Sequence, residues 1–149
     1  MSILLQYPNE LLSKVSKKVL VVDDEIKALI EIMRNSLDSG IPGISAVQLG
    51  LLLRIIVVRN GSDILTIINP IITKQSPQMF KSIEGCLSIG RGKFGYIVPR
   101  HKQIKVLGVN ADMKPMVYKG RDAFGRVLQH EIDHLDGILI NQKGISING

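Results

Sequence analysis

The chain has 149 residues, 45% of them hydrophobic, with a formal net charge of +6 and an isoelectric point near 9.6. That length and composition fit one domain over residues 1–149 with a single core, and no apolar run approaches the roughly 20 residues that cross a bilayer. A lone cysteine, Cys86, excludes an intrachain disulfide, and 4% aromatics without Trp leave little material for a base-stacking platform.

In chain order, Tyr7-Pro8-Asn9-Glu10-Leu11-Leu12 reads as a turn into a short helix, because Pro suits a first helical position. From Asp23 or Asp24 to Ser39, the residues Ile26, Leu29, Ile30, Met33 and Leu37 recur at helical spacing, with an aspartate to cap the start and Gly40 to stop the end. Leu51 to Val58 and Ile64 to Ile72 are rich in β-branched residues and flank an Asn60-Gly61 turn signal, which predicts an antiparallel hairpin. A second hairpin is expected from Ile104 to Val109 and Met116 to Tyr118, around Asn110-Ala111-Asp112. Phe124 to Leu135 reads as the second main helix, with Asp122 as its cap and Gly137 beyond its end. The tail from Ile138 to Gly149 has no helical apolar period, and deleting Gly144 to Gly149 is expected to leave activity within about threefold. The alternative is that Ile145 and Ile147 form a short edge strand or fold back onto the substrate cleft. Strands clustered between two helices, without β-α-β alternation, predict an α+β fold with antiparallel sheets around a central helix.

The strongest chemical signal lies on that helix. In His130-Glu131-Ile132-Asp133-His134, imidazoles four residues apart share one helix face and can reach a single metal ion, while Glu131 can reach a water held there. Two histidines are one ligand short of a catalytic site, which takes three from the protein and keeps a further position open. The third ligand is a distant carboxylate, His101 or Cys86. Cys86 sits in Glu84-Gly85-Cys86-Leu87-Ser88, beside a glycine that allows close backbone approach; read alone, a single thiol is more often a small buried hydrophobe. His101, between Arg100 and Lys102, reads as surface.

Three segments resemble the signature motifs of the peptide deformylases: Gly43-Ile44-Ser45-Ala46-Val47-Gln48, Glu84-Gly85-Cys86-Leu87-Ser88, and Gln129-His130-Glu131-Ile132-Asp133-His134-Leu135-Asp136-Gly137. Tyr7-Pro8-Asn9-Glu10, Asn69-Pro70 and Val98-Pro99-Arg100 look like further landmarks of that family. The resemblance implies a metal held by Cys86, His130 and His134, normally Fe2+, with Zn2+, Ni2+ or Co2+ able to take its place. It implies Glu131 as proton acceptor, Gln48 and the Leu87 N–H as donors to the formyl oxygen, Gly43 beside the peptide backbone, and Val127 in the methionine pocket. The activity implied is hydrolysis of the N-formyl group from formylmethionyl peptides. Glu84, Arg100 and Asp133 read either as a charged surround for the ligands or as surface ion pairs. The first motif departs from the family, which usually has glycine at Ile41 and alanine at Ser45. The glycine-rich 89–95 segment lacks a proline the family often places there and reads as a flap; neither Arg91 nor Lys93 aligns clearly with the family's substrate-contacting arginine.

Lys14, Lys17 and Lys18, and more loosely Arg91, Lys93, Arg100 and Lys102, are the nearest approach to charge clusters. Neither reaches the blocks of five or more that mark nucleic-acid tails, so solvated surface without sequence-specific nucleic-acid binding is expected. Met1 to Gln6 lacks a basic region followed by a cleavage pattern. A cytoplasmic, membrane-independent monomer is expected, with at most weak contact to the ribosome. Another amidase built on the same residues would cleave peptides blocked in other ways. An RNA-binding module with a structural metal would need a fourth ligand to close the site.

Overall fold

The computed structural model describes residues 3–147. Helix α1 (Asp24–Ser36) precedes strands β1 (Gly43–Ser45), β2 (Ile55–Asn60), β3 (Asp63–Gln75), β4 (Met79–Glu84), β5 (Tyr96–His101), β6 (Gln103–Val109) and β7 (Pro115–Arg121), followed by α2 (Asp122–Leu135), α3 (Ile140–Lys143) and β8 (Ile145–Ser146). A five-stranded sheet runs β1-β2-β3-β6-β7 and a three-stranded sheet runs β4-β5-β8, all pairings antiparallel. This is the expected α+β class.

The larger sheet carries a helix on each face, α1 over its β1-β2-β3 end and α2 on the other side. Ile55, Val57 and Ile68 pack with Leu29, Ile30 and Met33 of α1, while Ile56, Val58, Ile67 and Val106 pack with Val127, Leu128 and Ile132 of α2. Ile55 to Val58 are therefore all fully buried, which explains a continuous apolar run where a one-sided strand would alternate. Each such side chain contributes about 2 kcal/mol relative to exposure. A third cluster joins Leu12, Val47, Cys86, Val98 and Leu139, so the second sheet and the tail close over the far side of the site.

The Asp23 carboxylate caps α1 by accepting the Ile26 N–H at 2.9 Å, and the helix then tightens into a 3-10 turn, Leu37–Ser39, ended by Gly40 at φ +92°. The first hairpin turns on Gly61-Ser62, with Asn60 opposite Asp63. The N-terminal 3-10 turn begins at Glu10, later than Pro8 suggested, because the Asn9 side chain accepts the Leu11 N–H at 3.0 Å. Asp122 is not a cap: it occupies the first turn of α2 at φ +53°, and the capping position falls on Arg121 without a side-chain bond. Gly137 does end α2, at φ +73°, with the Ile138 N–H returning to the Asp133 carbonyl at 2.9 Å.

β4 and β5 were not legible in the sequence, and neither was the role of the tail. Ser146 and Ile145 pair with Tyr96 and Ile97, Leu139 and Ile140 are buried, and the Ile147 side chain lies against Gly95. The alternative of a short edge strand holds at Ile145–Ser146, with Ile147 in a turn beyond it, and the tail is therefore packed where little packing was expected. Truncation from Gly144 onward is expected to lower the thermal midpoint by about 2–4 °C, the loss of about 1 kcal/mol in strand bonds and packing; an unchanged melting curve would contradict this.

Candidate active site

α2 is fixed in position before it presents any chemistry. Gly125 lies against Gly120 of β7, where a Cβ on Gly125 would fall 3.1 Å from the Gly120 carbonyl carbon and oxygen. The Gln129 side chain then docks the helix on β5: its oxygen accepts the His101 N–H and its nitrogen donates to the His101 carbonyl, both at 2.9 Å. At the helix end, Arg54 donates to the Leu135 carbonyl at 3.0 Å and to Asp136 at 2.9 Å, a cation at the negative pole of the helix.

Cys86 follows β4 through Gly85, where any side chain would crowd the Gly92 carbonyl, 3.3 Å from an added Cβ. The ligand atoms of Cys86, His130 and His134 lie within 4.8 Å of one another, with Cys86 Sγ 3.4 Å from His134 Nε2. Tetrahedral ligands at bond lengths of about 2.0–2.3 Å sit roughly 3.6 Å apart, so a small contraction brings the three onto one ion. A thiolate and two imidazoles form a donor set for a soft or borderline divalent metal, and the buried Glu131 Oε1 beside them has no protein partner. The residues fit a metal.

A buried ion network surrounds this triad. Glu84 Oε1 lies 2.8 Å from His130 Nδ1, which leaves Nε2 of that ring to coordinate. Arg100, 1% exposed, grips both Glu84 oxygens at 2.7 and 2.8 Å and reaches Asp133 at 2.6 Å. Burial opposes ionisation of Glu84, but its bonds to Arg100 and His130 prevail and hold it down at about 2. Glu131 lacks such partners, and burial pushes it up to about 7 although His130 and Arg100 pull the other way. Burial also opposes charge on both imidazoles. His130 is nevertheless raised to about 10 by Cys86 and Glu84, while His134 is driven well down by burial, His130 and Arg100.

A cleft of about 260 Å³ opens beside these groups, walled by Gly43, Gln48, Cys86, Leu87, Val127 and Glu131, with His130 at its edge and Leu4, Ile41 and Ile83 adding apolar surface. His134 is 1% exposed behind Cys86. Gly43 packs directly on Glu131 and Val127, so that an added Cβ would lie 3.0 Å from Glu131 Cγ, Glu131 Oε2 and Val127 Cγ1. Gln48 is held by its carbonyl end, which accepts the Ser45 N–H and the Ser45 hydroxyl, each at 3.0 Å. Its amide nitrogen donates to Ser88 Oγ at 3.2 Å, and one N–H remains. The N-terminal segment ties the two motifs together: the Leu5 N–H donates to the Gln48 carbonyl and the Tyr7 N–H to the Ser88 carbonyl.

All eight sequence-derived site residues thus gather in one region, and His101 lies outside it, bonded to the Ser76 carbonyl. Glu84, Arg100 and Asp133 form a buried network and not a surface one. Ser45 and Ser88, which orient Gln48, were not singled out as contacts; the only hint was the departure from alanine at position 45. Neither Arg91 nor Lys93 lines the cleft, whereas Arg126 does. Replacing Arg100 with Met removes the buried cation shared by Glu84 and Asp133 and is expected to cost about 3–5 kcal/mol, read as a lower urea midpoint; a loss under about 1 kcal/mol would refute the buried network.

The polypeptide deformylase family's sequence model matches residues 1–147. The peptide deformylase of Acetivibrio thermocellus is 40% identical over 139 residues, 92% of this chain and 79% of that protein. Peptide deformylase 1 of Bacillus subtilis is 35% identical over 140 residues, 92% of this chain and 86% of that protein. The crystal structure of the Thermotoga maritima peptide deformylase superposes with a TM-score of 0.90 at 30% identity, covering 96% of this chain and 97% of that one. Sequence, fold and a buried Cys-His-His cluster beside a cleft therefore agree, and the chain belongs to the peptide deformylases, metal-dependent enzymes that remove the N-formyl group from nascent peptides.

Proposed function

We propose that residues 1–149 act as one catalytic domain in which Cys86, His130 and His134 hold a single divalent ion, Fe2+ by preference, with Zn2+, Ni2+ or Co2+ able to substitute. The observation that carries this reading is the convergence of three ligand atoms within 4.8 Å at a cleft that Glu131 also lines. When bound, the ion supplies Lewis acidity that polarises the formyl carbonyl and lowers the pKa of water.

The chain's own groups do the rest. Glu131, poised at about 7, takes a proton from the attacking water and returns it to the departing amine nitrogen, a task suited to a base whose pKa matches the working pH. The free N–H of Gln48 and the Leu87 N–H stabilise charge growing on the formyl oxygen, a contribution that depends on donors already aimed there. Ser45 and Ser88 fix which end of the Gln48 amide faces the cleft, so Ser45 is a positioning residue that alanine could serve only through its backbone N–H. Gly43 leaves room for the peptide backbone, and Val127 with the apolar wall receives the methionine side chain. The setting is cytoplasmic, the enzyme a monomer, and the ribosome a weak partner.

Two variants test the assignment together. Cys86→Ala is expected to lose the metal and formate release, whereas Glu131→Gln keeps the metal and loses at least about a hundredfold in kcat. Full metal content and turnover in the first, or near-normal formate release in the second, would displace the residue from its role. Ser45→Ala is expected to lower kcat about three- to tenfold with KM little changed, as loss of one hydrogen bond to Gln48, and Ser45→Thr to restore it. An unchanged kcat in the alanine variant would remove Ser45 from the positioning role.

A further inference from the structure

The face of the large sheet that carries α1 is only partly covered. α1 packs on its β1-β2-β3 end, and beyond it the cross-strand partners Ile71, Leu107 and Val117 form a row that is 60%, 42% and 54% exposed. The adjoining row is Lys74-Lys105-Lys119, three like charges directly opposite one another on β3, β6 and β7. Opposed like charges destabilise an antiparallel pair, and none of these lysines forms an ion pair among the described residues. With Arg121 they line a trough of about 690 Å³. The spacing of strands sets the row at about 10 Å from end to end, and the apolar row beside it lowers the local dielectric and sharpens the positive field.

We propose that this lysine row is a docking surface for an RNA phosphate backbone. Charge complementarity selects the occupant: a polyanion relieves a repulsion that the fold otherwise sustains, and each neutralised phosphate releases a counterion. The trough has no aromatic lining residue, so contact is with the backbone and reads no sequence. A surface of this kind would bring the enzyme to nascent chains, which emerge beside ribosomal RNA, while the cleft that processes them lies on the α2 side of the sheet.

The probe is a fluorescein-labelled 20-nucleotide RNA of mixed sequence, titrated by anisotropy at several salt concentrations. The triple variant Lys74→Gln, Lys105→Gln, Lys119→Gln is compared with a charge-matched control, Lys14→Gln, Lys17→Gln, Lys18→Gln. The row variant is expected to bind at least tenfold more weakly than wild type and to lose about 2 from the slope of log K against log salt, three contacts at about 0.7 each. Its kcat/KM on a short formylmethionyl peptide stays within twofold of wild type, and its thermal midpoint does not fall. Equal weakening in the control would reduce the effect to net charge and overturn the proposal. So would RNA binding indifferent to the row, or row-dependent binding to vesicles of anionic phospholipid without row-dependent binding to RNA.

Discussion

Everything near the site depends on how one buried cation is compensated. Arg100 has almost no exposed surface, so its guanidinium must find its partners inside the protein, and it finds them on two elements at once: Glu84 at the end of β4 and Asp133 on α2. A strand, its neighbour and the helix are thereby joined through charges in a medium where separation is expensive. Glu84 also faces His130, so the same carboxylate that neutralises Arg100 sets the imidazole's orientation. Apolar residues of equal volume could stabilise such a spot as well or better; what they could not do is aim a ring. Lys143, on the exposed side of Asp133, adds little by comparison.

The network also separates two carboxylates that are both buried. Glu84 has Arg100 and stays ionised at about 2, whereas Glu131, with an unpartnered oxygen, is raised to about 7. Environments that push neighbouring acids apart separate their chemistry: one is a permanent anion bonded to His130 and Arg100, the other a group able to gain and lose a proton. Gly43 sharpens this division, because its bare backbone presses on the Glu131 side chain and limits the volume through which that carboxyl can move.

The sequence was most informative where a single chemical constraint acts locally. Histidines one helical turn apart, the Asp23 cap and the Ile-rich hairpin each follow from spacing within one element. It was least informative where partners are distant. β4 and β5 have mixed composition, and their edges meet only because Met79 to Glu84 pair with Tyr96 to His101 across a glycine-rich turn. Asp122 looked like a helix cap because the residue type is right, but the turn out of β7 places it at positive φ and moves the cap to Arg121. The tail lacked periodicity because a four-residue helix and a two-residue strand are too short to display any. Glu84, Arg100 and Asp133 could not be told from surface charges, since burial of a polar residue is a property of its neighbours in space.

The contact between Gly120 and Gly125 determines how the enzyme can tolerate change. Most helix-on-sheet packing passes through side chains, which deform, so replacing a core residue shifts the helix by some fraction of an ångström. Here backbone rests on backbone, a bearing with no compliant layer in it. Further along α2 the packing at Leu128 and Ile132 passes through side chains and can adjust to substitution, whereas at Gly120 and Gly125 any added side chain must push the helix off the sheet.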